Sequence, residues 1–394
     1  MIPFSIRYAR NQPSPYSKYF VAPLGGEDEI YFRQQKLTPK TLLTTLSRLF
    51  FAEDVRKSIK LLARDTRPDI AYVLHYLRKL SPSLLVGLKQ SGVPVIVRLS
   101  DYAMLCPQAH CLRDDRPCEL CTQGNLLPSL QYHCVQNNLP ASALNFAATQ
   151  YHRAMRYFDL VDRFVVTTRF MYQKMQAAGY KENRLYHIPT FVNGETFHPD
   201  PEGRRQKYIA YVGRLEKIKG VHVLIDALGI LKRKRPGIDI KLRVAGSGDQ
   251  DYLALINQKI NDWNLHGQVV LLGEQENAQI VSLLNKALVS IIPSICFENL
   301  PNVVLESYGC GTAVIASNLG SLPECVDEGQ TGLLFKPGDA GHLAEQIAYC
   351  YDHPEQMNIM GEKARGAAVG KYSKQNHLNL LEALCQELRG GKIP

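Results

Sequence analysis

Two glutamates, Glu298 and Glu306, lie eight residues apart on either side of a predicted junction between a strand and a helix. The apolar run at 287–292 predicts a buried strand, and Pro301 suits the first position of the following helix because its missing N–H lacks a partner there in any case. The N-terminus of that helix would offer unpaired N–H groups and a partial positive charge, which attract phosphate. Carboxylates only accept hydrogen bonds and therefore suit the hydroxyl groups of a ligand. Two of them beside a phosphate site indicate a nucleotide with a hydroxyl-rich group at each end.

A basic cluster occurs earlier in the chain, directly after a predicted strand at 207–212. Gly213 and Gly220 allow the backbone there to adopt unusual angles and to approach a ligand closely. Arg214 supplies a planar fork that suits two phosphate oxygens, and Lys219 supplies a point charge. Either cation alone is compatible with an ordinary solvated loop, but the two together with the glutamate pair indicate a diphosphate site.

Six short motifs follow one another in the second half of the chain. They are GRL at 213–215, KG at 219–220, VAGSG at 244–248, PS at 293–294, the Glu-x7-Glu pair, and GQTGLL at 329–334. In type and order they resemble the motifs of the retaining glycosyltransferases of family 4. The resemblance implies the GT-B fold, an α/β architecture of two Rossmann-like domains whose parallel sheets face a central cleft. It also implies sugar transfer from a nucleotide donor with retention of the anomeric configuration.

The resemblance implies a role for each residue of these motifs. Arg214 and Lys219 are expected to hold the donor diphosphate, and Glu306 the ribose hydroxyls. Glu298 is expected to act in catalysis with these two cations, by orienting the transferred sugar rather than as a covalent nucleophile. The other expected donor-binding residues are Gly213, Gly246, Gly248, Asn299, Leu300, Pro301 and Asn302, with the amides after Glu298 completing the phosphate cradle.

Fixed positive charges can stabilise a departing diphosphate without a metal ion. We therefore expect no metal and no cofactor, the nucleotide-diphosphate sugar being the donor substrate. The segment Asp249-Gln250-Asp251 has the D-x-D pattern of a metal site. It also follows Gly248 at a predicted helix start, where acidic residues commonly act as caps, and we favour the cap.

The acceptor is expected to bind to the N-terminal half of the chain. Asp101 and Tyr102, which follow a predicted strand at 93–99, resemble a cleft-facing segment of the same family. Many relatives have a histidine before that aspartate, whereas this chain has Ser100, so a histidine acid or base at that position is excluded. His75, at another predicted strand end, either contacts the acceptor or caps local backbone groups.

A chain of 394 residues is too long for one typical core, which predicts two domains. We place an acceptor-side domain at 1–192 and a nucleotide-sugar-binding domain at 193–394, joined by a hinge at 190–206. The last helix, near 375–388, is expected to cross back to the first domain, as it does in the resembling family. Members of that family usually have one more strand, loop and helix before the strand-like segment 2–6, so we expect the first domain to be incomplete at its start.

Alternating patterns from residue 207 onward predict an open parallel sheet covered on both faces. Strands are predicted there at 207–212, 239–245, 268–272, 287–292 and 312–316. In the first half, strands are predicted at 70–74, 93–99 and 163–167, and helices at 82–90 and 141–158. Ligands bind such sheets beyond the carboxyl ends of the strands, where the motifs above fall.

The composition is that of a globular protein, with 45% hydrophobic and 21% charged residues, and excludes a disordered chain. No apolar run approaches the length that crosses a bilayer, and the first residues lack a signal-peptide pattern. These features predict a cytoplasmic location.

The net charge of +9 is concentrated in the first half of the chain. Residues 1–192 contain 25 Lys and Arg against 14 Asp and Glu, whereas residues 193–394 contain 21 against 23. The basic half suits peripheral contact with the inner face of a membrane, a pyrophosphate-bearing acceptor or a nucleic acid. Because its cations are scattered, a solvated face is an equally good explanation.

Five of the ten cysteines fall within residues 106–134. Cys118 and Cys121 have the C-x2-C spacing with which one turn directs two thiolates at a metal, and Cys106 and Cys134 would complete a tetrahedral zinc site. The irregular spacing of the outer pair also suits a packing cluster of reduced cysteines. Disulfides are the third alternative.

The function predicted from these features is transfer of a hexose from a nucleotide-diphosphate sugar to a glycan or lipid-linked saccharide, in surface polysaccharide biosynthesis. The alternative is a catalytically silent nucleotide-sugar or glycan binding protein, because of Ser100 and the expected absence of the first unit. Nucleic-acid binding is disfavoured, since the chain lacks aromatic stacking motifs and recognition helices.

Overall fold

The structure is a computed structural model that describes residues 1–9, 11–23, 39–77, 79–201 and 205–390. Residues 202–204 of the predicted hinge lie outside these ranges.

Twelve strands lie in the described residues. They are β1 (Ala71–Leu74), β2 (Val95–Leu99), β3 (Leu112–Arg113), β4 (Arg116–Pro117), β5 (Arg163–Val166), β6 (Leu185–His187), β7 (Tyr208–Val212), β8 (Lys241–Ala245), β9 (Val269–Gly273), β10 (Val289–Ile292), β11 (Val314–Ser317) and β12 (Gly332–Phe335). A four-stranded parallel sheet has the order β1-β2-β5-β6, and a six-stranded parallel sheet has the order β12-β11-β10-β7-β8-β9. Strands β3 and β4 form a separate antiparallel ribbon.

The described residues also contain fourteen α-helices. They are α1 (Pro39–Leu49), α2 (Glu53–Thr66), α3 (Ser83–Gln90), α4 (Leu127–Gln131), α5 (Leu139–Ala154), α6 (Arg169–Ala177), α7 (Val221–Lys234), α8 (Gln250–Asp262), α9 (Asn277–Lys286), α10 (Asn302–Gly309), α11 (Leu322–Cys325), α12 (Ala340–Asp352), α13 (Pro354–Val369) and α14 (Lys374–Gly390). Within each parallel sheet, every connection between successive strands includes a helix, as a parallel crossover requires.

Burial explains why these segments form strands and helices. All residues of β10 and β11 are buried, as expected for apolar strands in the middle of a sheet that helices cover on both faces. Helix α2 buries one stripe, from Val55 through Ile59 to Leu62, and leaves its charged residues on the other side. The apolar stripe fixes the face with which the helix packs on the sheet.

All eight predicted strands are present, with ends shifted by at most two residues. The strand-like segment 2–6 forms no strand, because among those residues only Ile6 makes a β-bridge, to Val21. The helix predicted at 141–158 ends earlier, since Arg156 adopts a left-handed backbone angle after α5. Four described strands were not predicted, namely β3, β4, β6 and β12.

The D-x-D segment contains a helix cap, as favoured above. The Asp249 carboxylate accepts a hydrogen bond from the Tyr252 N–H at 2.8 Å, at the start of α8. This bond satisfies one of the free N–H groups of the first helical turn.

Helix α14, which follows the second sheet in the chain, packs against the first sheet. Its Leu384 is buried beside Ile96 of β2 and Val165 of β5. Its Glu387 accepts hydrogen bonds from Arg163 at 2.8 Å and from the Tyr186 hydroxyl at 2.5 Å. The chain therefore passes between the two halves a second time.

Among the described residues, no helix combines the length and the apolar composition that a bilayer crossing requires.

Candidate functional site

A crevice of about 310 Å³ lies beyond the carboxyl ends of β7 and β10. Its lining residues are Tyr211, Val212, Gly213, Arg214, Lys219, Ile291, Ile292, Pro293, Ser294, Glu298, Pro301, Asn302, Val303 and Glu306. The four charged residues that the sequence singled out therefore surround one cavity. The parallel sheet brings them together because both strands end at the same edge.

Lys219 and Glu298 form the central contact of the crevice. The Lys219 ammonium donates to Glu298 Oε1 at 2.7 Å, and the Ser294 hydroxyl donates to the same oxygen at 2.5 Å. The exposed fractions of the two charged side chains are only 22% and 11%, so water screens this ion pair weakly. The carboxylate is held in place by two donors and keeps Oε2 available for a ligand hydroxyl.

The loop from Gly213 to Gly220 runs close to the loop that follows β10. Gly220 has a φ of +74°, and a Cβ atom there would lie 1.9 Å from the Pro293 carbonyl oxygen. Only glycine fits both the backbone angle and this approach. The contact sets the position of Lys219, whereas Arg214 is 60% exposed and pairs with Glu216 at the mouth of the crevice.

Helix α10 points its N-terminus into the crevice. It begins at Asn302, and Pro301 is the residue before the first turn, so the prediction that Pro301 occupies the first helical position was wrong by one residue. In the described structure the N–H groups of Asn302 and Val303 have no hydrogen-bond partner, and no side chain caps them. They form the anion site that a helix N-terminus provides.

Glu306 lies one turn further along α10 and is half-buried. Burial raises the pKa of its carboxyl above the ordinary value of 4.5. Within the described residues this carboxylate has neither an ion pair nor a hydrogen bond. A desolvated acceptor without a partner suits a ligand that supplies hydroxyl donors.

Two predicted donor-binding glycines do not line the crevice. A Cβ atom on Gly246 would lie 1.9 Å from the Gly213 carbonyl oxygen, and one on Gly248 would lie 2.0 Å from that of Leu215. The Leu215 N–H also donates to the Ser247 carbonyl at 2.8 Å. These glycines therefore support the back of the basic loop and do not face the cavity.

Asn299 and Leu300 also lie away from the cavity. The Asn299 side chain donates to the Leu99 carbonyl at 2.9 Å and accepts from the Thr167 hydroxyl at 2.8 Å, both in the N-terminal half. Leu300 is buried in the core of the C-terminal half. Asn299 therefore joins the two halves, whereas Leu300 packs within the C-terminal half.

An aromatic cluster strengthens this junction. The Phe297 ring packs between Tyr102, at 6.1 Å, and Phe170, at 4.9 Å between ring centroids. The Tyr102 hydroxyl donates to the Glu298 carbonyl oxygen at 3.0 Å. Tyr102 is buried and contacts the donor-side loop, whereas the sequence placed it only on the acceptor side.

Three polar residues at or near the site were not identified from the sequence. Ser294 was given no separate role, and Thr167 and Glu324 were not predicted as functional residues. The Glu324 carboxylate accepts from the N–H groups of Arg169 and Phe170 at 2.9 and 3.1 Å, and so caps α6 from the other half of the chain. Thr167 is the last residue of the strand predicted at 163–167, and this position at the carboxyl end of a parallel strand is the signal that would have identified it. Glu324 carries no local signal, because its partner is remote in sequence.

Two of the cavities in the described part of the N-terminal half bear on the function. One, of about 170 Å³, is lined by His75 and Asp101, whose Nδ1 and Oδ2 atoms are 3.9 Å apart. The second is a wider groove of about 690 Å³ beside α2, called here the basic groove. Its five cations are Arg56, Lys57, Lys60, Arg64 and Arg67.

The part of the chain that contains the crevice is similar to a known family. Residues 195–367 match the family described as glycosyl transferases group 1. Over 189 residues the chain is 31% identical to D-inositol 3-phosphate glycosyltransferase of Paenarthrobacter aurescens, covering 48% of this chain and 46% of that one. Over 168 residues it is 36% identical to glycogen synthase of Mycobacterium tuberculosis, covering 42% and 39%. The chain spans less than half the length of these curated relatives.

Solved structures resemble the chain over nearly its whole length. Sucrose-phosphate synthase of Thermosynechococcus elongatus has a TM-score of 0.72 at 18% identity, covering 99% of this chain and 89% of that one. Anabaena Alr3699/HepE in complex with UDP has a TM-score of 0.63 at 18% identity, covering 86% and 82%. The predicted GT-B fold is thereby confirmed.

Proposed function

We propose that this protein is a retaining glycosyltransferase of family 4. It transfers a hexose from a nucleotide-diphosphate sugar to a glycan or lipid-linked saccharide in surface polysaccharide biosynthesis. The observation that carries the proposal is the single crevice in which Arg214, Lys219, Glu298 and Glu306 surround the N-terminus of α10.

The arrangement of charge in the crevice suits a nucleotide-diphosphate donor. The N–H groups of α10 and the two cations face the diphosphate, whose negative charge grows as the sugar departs. Glu306 accepts hydrogen bonds from the ribose hydroxyls, and its lack of a partner among the described residues makes it available to do so. In support, the Anabaena neighbour was solved in complex with UDP.

In the proposed reaction the acceptor hydroxyl oxygen forms a bond to the anomeric carbon while the bond from that carbon to the diphosphate oxygen breaks. The acceptor proton passes to a donor phosphate oxygen, which agrees with Ser100 in place of a histidine. Glu298 orients the sugar hydroxyls, and the Lys219 ammonium and the Ser294 hydroxyl fix its carboxylate. The residues present can meet the charge on the diphosphate, so the proposal assigns no metal to the reaction.

The acceptor is proposed to bind on the N-terminal side, at the cavity between His75 and Asp101. Both lie just past the carboxyl ends of neighbouring strands, β1 and β2. The basic groove supports contact with an anionic membrane surface, where a lipid-linked acceptor would be found. A location on the cytoplasmic face of a membrane is part of this proposal.

The test begins with a panel of nucleotide sugars and thermal unfolding of the full chain as readout, since a ligand that binds the native state raises its Tm. The stabilising donor is then used in transfer assays with Lys219→Ala and Glu306→Ala. Retained folding with a loss of turnover of about 100-fold or more in both variants supports the proposal. Full turnover in both variants overturns it, and donor binding without turnover by the unaltered chain indicates a silent binding protein.

A further inference from the structure

The N-terminus of α6, in the N-terminal half, is bound by a carboxylate of the C-terminal half. Glu324, in α11, accepts hydrogen bonds from the Arg169 N–H at 2.9 Å and from the Phe170 N–H at 3.1 Å, one on each carboxylate oxygen. The first turn of a helix has free N–H groups and a partial positive charge, and hydrogen bonds to an ionised acceptor are stronger than neutral ones. Glu324 therefore makes a strong contact between the two halves.

Helix α6 also has a cap from its own half. Thr168, the residue before its first turn, accepts a hydrogen bond from the Met171 N–H at 3.2 Å. A threonine at this position is a common way to satisfy a helix N-terminus. The two bonds from Glu324 go to N–H groups that water would otherwise satisfy. Their placement suits a link between the halves better than local stabilisation of one helix.

His187, at the end of β6, covers Glu324 from the N-terminal half. Its Nε2 atom is buried, has no hydrogen-bond partner among the described residues and lies 3.6 Å from Glu324 Oε1. Burial lowers the pKa of the imidazole below its ordinary value of 6.5, and Arg169 and Lys371 act in the same direction, whereas Glu324 opposes them. The imidazole is therefore neutral at neutral pH and limits the access of water to the carboxylate.

Solvent exposure distinguishes the Glu324 contact from another charged contact between the halves. The ion pair of Lys217 with Asp115 has a distance of 2.7 Å, but its side chains are 57% and 50% exposed, so water and salt screen it. The Glu324 side chain is only 20% exposed, and its charge is screened less. Of these two contacts, we expect that of Glu324 to contribute more to the relative position of the halves.

The segment around Glu324 also binds the backbone of Glu298. Ser321, directly before α11, donates a hydrogen bond from its hydroxyl to the Glu298 carbonyl oxygen at 2.6 Å. On the other side, the Phe170 ring packs on the Phe297 ring with 4.9 Å between the ring centroids. Glu324 therefore connects two groups that contact the loop of the proposed sugar-orienting carboxylate.

We propose that Glu324 is a positioning residue for sugar transfer, which fixes the acceptor half against the donor half by capping α6. This role rests on the proposed function, in which the two substrates bind to opposite halves. The residues that line the donor crevice all belong to the C-terminal half, and those around the cavity beside His75 all belong to the N-terminal half. Reacting atoms must come within about 3–3.5 Å of each other, so a small shift of one half slows transfer. Glu324 lines neither cavity and acts through α6.

The experiment compares transfer with donor hydrolysis in the unaltered full chain and in Glu324→Ala. The donor is the nucleotide sugar that the thermal-unfolding panel selects, and octyl hexosides serve as acceptors of the lipid-linked type. In hydrolysis a water oxygen attacks in place of the acceptor hydroxyl, so this reaction requires only the crevice of the C-terminal half. We expect the transfer rate to fall about 10- to 100-fold and the KM for the acceptor to rise. Hydrolysis and the affinity for the nucleotide diphosphate should change by less than about 3-fold.

The matched control is Glu328→Ala. The Glu328 carboxylate also accepts a backbone hydrogen bond, from the Leu334 N–H at 2.8 Å, but both residues belong to the C-terminal half. This variant should keep the transfer rate and the acceptor KM of the unaltered chain. Equal transfer by the unaltered chain and Glu324→Ala overturns the positioning role alone. Neither transfer nor hydrolysis by the unaltered chain overturns the proposed function, and the positioning role with it.

Because Glu324→Ala risks disrupting α6, Glu324→Gln provides a second variant of nearly the same shape. Its amide oxygen can accept from only one of the two N–H groups, so its transfer rate should lie between those of the unaltered chain and Glu324→Ala. Small-angle scattering without ligand should show a larger radius of gyration in the variants, in the same order. A lower unfolding temperature in Glu324→Gln with unchanged transfer and an unchanged radius would show a purely structural cap and would overturn the proposal.

Discussion

The Tyr102 hydroxyl lies 3.0 Å from the Glu298 carbonyl oxygen and donates a hydrogen bond to it, although 196 residues separate the two in sequence. The Ser321 hydroxyl donates to the same oxygen at 2.6 Å. The backbone that carries the proposed sugar-orienting carboxylate is therefore bound from both halves of the chain. Movement of one half relative to the other must displace Glu298 or break the Tyr102 bond.

Removing the Tyr102 hydroxyl tests this coupling. Tyr102→Phe keeps the contacts of the ring with Phe297 and Phe170 but deletes one buried hydrogen bond. We expect a loss of only about 1 kcal/mol in the free energy of unfolding, because Ser321 still satisfies the carbonyl. The transfer rate should fall about 10-fold through misplacement of Glu298. Chemical denaturation and steady-state kinetics measure the two effects.

The control for that variant is Tyr349→Phe, on the exposed surface of α12. It should change neither quantity. Unaltered turnover by Tyr102→Phe, together with lowered stability, would show that the bond is purely structural.

The raised pKa of Glu306 predicts a pH dependence of donor binding. The carboxyl protonates at higher pH than an exposed glutamate, so the donor affinity should fall as the pH decreases through the raised pKa, because a protonated carboxyl accepts ribose hydroxyl bonds poorly. In the absence of donor, the stability of the protein depends on pH in the opposite direction. Because burial penalises the charged carboxylate, the contribution of Glu306 to the free energy of unfolding decreases as the pH rises from the pKa of the unfolded chain to the raised pKa of the folded protein.

Calorimetric titration of the nucleotide diphosphate across the acidic range measures this dependence. Glu306→Gln should bind more weakly at neutral pH and lose the acidic limb of the affinity profile. A variant that keeps the same pH profile as the unaltered chain would rule out Glu306 as the titrating group.

Gly220→Ala is expected to destabilise the protein strongly. The left-handed φ costs an L-residue about 1–2 kcal/mol, and the collision with the Pro293 carbonyl adds to it, so we expect more than about 2 kcal/mol in total. Gly237→Ala is the matched control, since no described atom lies within 4 Å of a Cβ there and its φ is ordinary. Equal unfolding midpoints for the two variants would refute the packing argument.

Asn299 distinguishes a donor-binding role from a role in joining the halves. Asn299→Ala removes bonds to Leu99 and Thr167 and should lower the free energy of unfolding by about 1–3 kcal/mol. The affinity of this variant for the nucleotide diphosphate should change by less than about 3-fold, since the Asn299 side chain faces away from the crevice. A large loss of affinity without loss of stability would restore the donor-binding role expected from the sequence.

The basic groove predicts salt-dependent binding to anionic vesicles. Reversing Lys57 and Lys60 to glutamate should weaken binding by at least about 30-fold, since the loss of each cation alone costs about 1 kcal/mol, in co-sedimentation with vesicles containing phosphatidylserine. Reversing Lys234 and Lys363, exposed on the other half, serves as the charge-matched control. Equal losses in both pairs would indicate a response to net charge alone.

The sequence by itself determined five of the six described strands of the second sheet and the charged residues of its crevice. Apolar strand patterns and their spacing depend on local composition, and parallel strands place their following loops at one edge. From this rule and the family resemblance, Lys219 and Glu298 were expected near each other, and they form an ion pair at 2.7 Å.

Only the tertiary structure decided which residues face the cavity and which face the other half. Asn299 follows Glu298 directly, yet its side chain bonds to Leu99 and Thr167, and no pattern within residues 297–306 encodes partners more than 130 residues away. Glu324 likewise caps a helix of the other half. A sequence fixes periodicity and local turns through short-range sterics and hydrogen bonds, whereas contacts between separate domains depend on how two complete sheets pack against each other.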